Sequence, residues 1–474
     1  MRLLKFFLFG WLAAGVAQAA ELPPAFVSAL QRAAIPLDRV AIVVQPLDAD
    51  APRLSHQAEA AMNPASVMKL VTSFAALQQL GPAYTWTTEV WADGPLQDGV
   101  LDGDLVVRGN GDPTLTLERM WLLQRELRAR GVRHVRGNLV LDTSRFDLPP
   151  VDPGAFDDAP FAPYNAPAGA LVANFNAITL RLAPHGDGVR IVPDIALPGV
   201  TLTSELKLAD ADACNGWRDL LAPGFADAAR AELVVTGRYA RDCGEQSWTL
   251  SLFEPAATFD LIFRSLWADS GGRIDGRTVG GHAPKTPPLL AFDSEPLADA
   301  LRRLNKYSNN LMTKNLFLTL GAEAYGSPAT PDKGAQAVRA ALVRQGVATG
   351  KLVLDNGSGL SRIERISAAT LAQLLRVAYR SPLFAEFESA LPVLALDGTL
   401  KRRFNGSPAA GNAHLKTGTL RDASALAGTV LTARGRRVAF VMLVNHANAQ
   451  RATEAQRVLL EWTWADTPEE AQAQ

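Results

Sequence analysis

Residues 63–71 read Asn63-Pro64-Ala65-Ser66-Val67-Met68-Lys69-Leu70-Val71, and the run stays apolar to Leu80, where Gly81-Pro82 stops it. Asn63 as N-cap, Pro64 in the first turn and a closing glycine predict a helix. Ser66 and Lys69 are three residues apart, so they share one face of that helix within reach of each other. No other charge stands between Met62 and Leu80. A lysine in so apolar a setting is costly to keep charged, and desolvation lowers its pKa. A neutral amine beside a hydroxyl is a base beside a nucleophile, which points to acyl transfer without histidine.

The spacing alone is weak evidence. Ser204-Glu205-Leu206-Lys207 matches it too, and reads as chance on a polar surface. Two later motifs give Ser66 its meaning. Ser308-Asn309-Asn310 opens an apolar helical run, and His414-Leu415-Lys416-Thr417-Gly418-Thr419-Leu420 reads as a strand ahead of a hairpin formed by Ser424–Leu431 and Val438–Asn445. S-x-x-K, S-D-N and K-T-G in that order are the set of penicillin-binding proteins and class A β-lactamases. The middle motif here is Ser-Asn-Asn, which leaves its outer two residues intact.

Four further segments extend the likeness: Leu105–Leu115 (LVVRGNGDPTL), Asp142–Phe146 (DTSRF), Asp355–Arg362 (DNGSGLSR) and Asp397–Leu400 (DGTL). On these the chain resembles the D-alanyl-D-alanine carboxypeptidase/endopeptidase family, the low-molecular-mass class C penicillin-binding proteins of peptidase family S13. The resemblance implies the α/β (α+β) core of the penicillin-recognising serine enzymes, β-lactamase/DD-peptidase-like, with a mostly antiparallel sheet, helices on both faces and inserted mainly-β or α+β domains. Residues 1–19 are expected to be a signal peptide, 20–86 plus 287–474 the catalytic domain, 87–174 plus 251–286 an inserted domain II, and 175–250 a domain III nested in it.

Chemistry and resemblance together assign roles. Ser66 is the nucleophile and Lys69 the base for acylation, while Ser308 relays a proton to the departing amine and Asn310 holds the substrate amide or Lys69. Lys416 and Thr417 bind the terminal carboxylate, and Gly418 lets the substrate approach the strand closely. The resemblance implies an oxyanion site at the backbone N–H groups of Ser66 and Thr419. It also implies that Asp142 and Arg362 clasp the free end of a diaminopimelate side chain, with Leu420 as an apolar wall. The expected partners are peptidoglycan stem peptides and β-lactams as covalent inhibitors, with homodimerisation left open. No cofactor or metal is expected, because the six histidines are scattered and form no metal-ligand spacing.

Arg2 and Lys5, an apolar stretch and Ala17-Gln18-Ala19 make a secretory leader, too short for the roughly 20 residues of a membrane span. Cleavage after Ala19 would leave 455 residues and, with two cations gone, move the formal net charge from −1 to −3. That balance offers nothing to nucleic acid. The expected location is the periplasm, with no transmembrane segment after cleavage. Cys214 and Cys243, the two cysteines, are expected to form one disulfide there, worth roughly 3–4 kcal/mol.

Two rival functions are distinguishable. A serine β-lactamase would release its penicilloyl adduct in milliseconds, but no Glu-x-x-x-Asn segment stands between the first two motifs, which are 242 residues apart. A catalytically idle wall-binding protein is at odds with the intact trio of motifs.

Overall fold

The computed structural model describes residues 21–209, 214–227 and 231–466, so the expected leader lies outside the described residues. Five antiparallel strands form the central sheet, in the order Ala413–Leu420, Ala423–Leu431, Arg437–Asn445, Val40–Pro46 and Leu54–His56. Its central strands are apolar at nearly every position, a pattern that requires cover on both faces. Along Arg437–Asn445 the pleat sorts alternate residues. Ala439, Val441 and Leu443 enter a core with the helices Lys69–Leu80, Leu297–Lys306, Asn310–Tyr325, Pro331–Arg344 and Ala368–Arg380. Val438, Phe440, Met442 and Val444 enter a second core with the helices Pro24–Arg32 and Thr453–Ala465. The antiparallel sheet with helices on both faces is therefore as expected.

Between the Ser66 helix and Leu297–Lys306 the chain makes four further sheets. It leaves along Thr87–Asp93 and returns along Leu290–Asp293, and these two strands pair antiparallel. Exit and re-entry are thus neighbours, so the intervening residues leave the central sheet undisturbed. The helices Leu117–Ala129 and Pro255–Asp269 share a core with strands of this region. Beyond them, two three-stranded sheets enclose a core that contains Trp217, Tyr239 and Trp248. The Cys214–Cys243 disulfide is formed in this part. Ser204 and Lys207 lie on the strand Thr201–Ala209, where residues three apart point to opposite faces, so they cannot form a dyad. No helix among the described residues is long and apolar enough to cross a membrane.

The two helices that carry chemistry begin differently. Ahead of Lys69–Leu80 comes a 3-10 turn, Ala65–Met68, and Asn63 Oδ1 accepts from Ala65 N at 2.9 Å in place of a standard cap. Asn310–Tyr325 is capped by Asn309, whose Oδ1 accepts from Met312 N at 2.9 Å. The central position of the middle motif is therefore an N-cap, and aspartate and asparagine are about equally good there. Asn309→Asp is expected to leave thermal stability within about 0.5 kcal/mol, whereas Asn309→Ala removes about 1 kcal/mol in denaturant titration.

Candidate active site

Lys69 and Lys416 are both fully buried. Lys69 Nζ lies 3.0 Å from Ser66 Oγ, 2.6 Å from Asn310 Oδ1 and 2.5 Å from the carbonyl of Ser358. The amide of Asn310 is oriented by its other end, because Nδ2 donates to the Tyr164 carbonyl at 2.9 Å. Oδ1 must then face Lys69. Two of the three partners of Nζ can only accept, while the third is a hydroxyl that can donate. A neutral amine, with two hydrogens and one lone pair, satisfies all three when its lone pair is aimed at the Ser66 hydroxyl. Burial pushes the Lys69 pKa well below the ordinary lysine value, and the nearby charges of Lys416 and Lys314 push the same way, against Glu364.

Lys416 Nζ donates to Ser308 Oγ and to the Thr417 carbonyl, each at 2.9 Å. Desolvation lowers its pKa to about 7. Ser308 reaches it from a backbone turn with φ +56°, and Ala65, just before the nucleophile, has φ +46°. Both are non-glycine residues in the left-handed region, the kind of strain that gathers at functional sites. The Thr417 hydroxyl is paired with that of Thr399 at 2.9 Å.

Gly418 has a different reason from the expected one. A Cβ there would lie 2.5 Å from the Pro64 carbonyl and 3.1 Å from Ser66 N. The glycine lets the edge strand and the Ser66 turn close on each other, before any substrate arrives. Gly359, at φ +81°, is equally constrained, since a Cβ would collide with the Ala65 carbonyl.

Sequence reasoning missed Glu364. This carboxylate is fully buried and accepts the N–H groups of Asp355, Asn356 and Gly357 on Oε1 and of Gly359 on Oε2. It thereby shapes the loop whose Ser358 carbonyl holds Lys69. Desolvation raises its pKa, against the pull of those N–H groups. An acid two residues beyond Ser-Gly-Leu-Ser-Arg carries no spacing signal, so nothing in the sequence marks it. Lys314, one turn after Asn310, donates to the Ala166 carbonyl at 3.0 Å and is lowered by burial to about 8.

Ser66, Ser308, Asn310, Arg362, Thr419 and Leu420 open onto one cleft of about 770 Å³. Leu420 clusters with Ala65 and Ala423, and with half-buried Leu360 and Phe156. Arg362 stacks on Phe156 at 4.1 Å, donates to its carbonyl at 3.2 Å and lies 3.4 Å from Asp422. Asp142 stands apart. It is 3% exposed, does not line the cleft, and takes the N–H groups of Ser144 and Ala283 at 2.9 and 2.8 Å. The acids that do line the cleft are Asp157 and Asp158. Asp157 is occupied by Tyr164 and Asn165, at 2.9 and 2.8 Å, whereas Asp158 is exposed and makes no ion pair among the described residues.

This constellation has known counterparts. D-alanyl-D-alanine carboxypeptidase of Actinomadura sp. (strain R39) is 33% identical over 77% of this chain and 70% of that protein. D-alanyl-D-alanine carboxypeptidase DacB of Haemophilus influenzae is 29% identical over 80% of both. The crystal structure of penicillin binding protein 4 (dacB) from Haemophilus influenzae matches with a TM-score of 0.78 at 26% identity, covering 93% of this chain and 99% of that one. The same protein complexed with a β-lactam matches with a TM-score of 0.75 at 25% identity, again over 93% and 99% of the two chains. The model of the D-Ala-D-Ala carboxypeptidase 3 (S13) family matches residues 25–464, and the chain belongs to that family.

Proposed function

We propose that this chain is an exported serine DD-peptidase that works through an acyl-enzyme on Ser66. The observation that carries the reading is the buried Lys69 amine, 3.0 Å from the Ser66 hydroxyl and held there by two carbonyl acceptors. Ser66 Oγ attacks the carbonyl of the penultimate D-alanine as its proton passes to Lys69. Ser308, held on Lys416, delivers a proton to the departing D-alanine amine. Lys416 supplies the positive charge, and Thr417 a hydroxyl, for the terminal carboxylate. Backbone N–H groups of Ser66 and Thr419 take the developing oxyanion. Water then releases the acyl group, so peptides ending in D-alanine are trimmed and D-alanyl cross-links are opened. A β-lactam, whose strained amide meets the same serine, acylates it in the same way.

On the acyl side, Arg362 and Asp158 offer a cation and an anion at the mouth of the cleft, over the apolar wall of Leu420 and Leu360. A side chain ending in an ammonium and a carboxylate, as diaminopimelate does, fits such a pair. Asp158 takes the part that the sequence assigned to Asp142. Delivery outside the cytoplasmic membrane is supported by the leader pattern ending at Ala19, and by the Cys214–Cys243 disulfide, which suits an oxidising compartment.

Incubation with pentapeptide-bearing muropeptides should release D-alanine, read by mass spectrometry, and Ser66→Ala should abolish the release. A wild type that releases none, though folded, would falsify the proposal. The pH profile follows from the two lysines. Acylation by a penicillin rises on the acid side as Lys69 loses its proton, and falls through about pH 7 as Lys416 loses its charge. Lys416→Arg, which stays charged, should flatten the alkaline limb; an unchanged limb would assign it to another group. Glu364→Gln places an NH2 group among four backbone N–H donors. Leaving even one of them unpaired costs roughly 1–3 kcal/mol, seen as a lower thermal midpoint together with slower acylation.

A further inference from the structure

A second cleft, of about 720 Å³, borders the segments that carry Ser308 and Thr399. It is lined by Tyr307 and Asn309, which flank Ser308, and by Asp397 and Gly398, which precede the Thr399 that pairs with Thr417. The first cleft holds Arg362 and Leu420, the acyl side of the proposed reaction, and shares no lining residue with this one, which borders instead the segments of Ser308, the proposed proton donor to the leaving amine, and of Thr399, the partner of Thr417.

Its wall is cationic. Arg302, Arg303 and Lys306 line it, against the single acid Asp397. Arg303 is paired with Glu295 at 2.8 Å and Lys306 with Asp397 at 2.6 Å. Arg302 makes no ion pair among the described residues, and its guanidinium reaches only the Ser389 hydroxyl, at 3.4 Å. Tyr307 is 76% exposed directly beside Ser308, a large aromatic surface with nothing on it. Exposed aromatic and arginine side chains of this kind are the usual anchors of a peptide site.

A leaving D-alanine ends at its methyl group and cannot extend past Lys416 and Thr417. A cross-linked substrate does extend, because its leaving amine belongs to a second stem peptide that carries further carboxylates. We propose that the cleft between Tyr307, Arg302 and Asp397 is the leaving-side subsite for the second, anionic stem peptide of a D-alanyl cross-link. The inference rests on the DD-peptidase reading and assigns a place to the part of its cross-linked substrate that lies beyond the scissile bond. In the reaction the amide C–N bond breaks, the acyl carbon bonds to Ser66 Oγ, and the amine of the second peptide takes the proton and leaves through this cleft. Water completes the hydrolysis.

The test compares kcat/KM of the full chain on a monomeric pentapeptide muropeptide and on a D-alanyl cross-linked dimer. Active enzyme is counted by labelling with a fluorescent penicillin. Arg302→Glu and, separately, Tyr307→Ala are expected to lower the dimer-to-monomer ratio of kcat/KM about five-fold, mostly through KM. Raising salt should lower the wild-type ratio and not that of Arg302→Glu. Arg190→Glu, the same charge change on a distant exposed strand, should keep the wild-type ratio. A ratio unchanged in both cleft variants overturns the subsite, and so does a wild type that trims the monomer yet leaves the dimer intact. A wild type inert on both substrates overturns the DD-peptidase reading and the subsite with it.

Discussion

Burial of the Lys69 amine is the constraint on which the rest of the site depends. A lysine with no exposed surface must either find a full set of acceptors as a cation or give up its proton. Here the set is two carbonyl-type acceptors and one hydroxyl, and when burial strips the proton the hydroxyl is the one partner that can face the lone pair. Each acceptor is then fixed by something else. Asn310 is turned by the Tyr164 carbonyl, and the Ser358 carbonyl by a loop wrapped round Glu364. Lys69 is thus held by acceptors that are themselves fixed from outside its own helix. The two buried charges are also complementary, since Glu364 favours the protonated lysine and restrains how far its pKa falls.

The second lysine illustrates the opposite use of the same chemistry. Lys416 sits on the sheet's edge strand and meets a hydroxyl and its own neighbour's carbonyl. Burial lowers its pKa to about 7, and an incoming carboxylate would favour the charged form. Burial pushes both lysines toward the neutral form, one beside the Ser66 hydroxyl and the other beside that of Ser308. Their positions differ. Lys69 starts a helix enclosed by packed elements, whereas Lys416 lies on the edge strand Ala413–Leu420, whose outer side is met by a bridge between Val393 and His414.

Much of this was legible from sequence, and the failures have physical reasons. The Ser66 turn, the Ser308 helix start and the Lys416 strand each carry a short motif that chemistry constrains at fixed spacing. The strands Ala423–Leu431 and Arg437–Asn445 were legible because they are almost wholly apolar, whereas Leu54–His56, with one apolar residue, was not read. Gly188–Pro193, Thr201–Ala209 and Leu221–Asp227 went unread because small, half-exposed sheets need little apolar alternation. Asp142 reads as a binding acid only until its two backbone donors are seen. Glu364 acts through backbone N–H groups, which every sequence supplies. A carboxylate that organises a loop in this way leaves no pattern in residue types. The reason for Gly418 was similarly hidden, because a close approach between two backbones involves no side chain.

The inserted region is not merely appended to this machinery. Its loop 147–167 supplies the Tyr164 carbonyl that turns Asn310 and the Ala166 carbonyl that binds Lys314, so two members of the helix Asn310–Tyr325 are oriented from outside the central sheet. Asn315, on the same helix, is gripped by Gly111 and Gly169 at 3.0 Å each. The same loop brings Phe156 under Arg362 and Asp158 to the mouth of the acyl-side cleft. On the proposed reading, substrate selection and base positioning share one segment of chain. A change that displaced this loop would disturb the acceptor set of Lys69 as well as the wall of the cleft. The region between the Ser66 helix and Leu297–Lys306 is thus tied to the central sheet's helices by hydrogen bonds at Asn310, Lys314 and Asn315, and the two must fit together to hold the surroundings of Lys69.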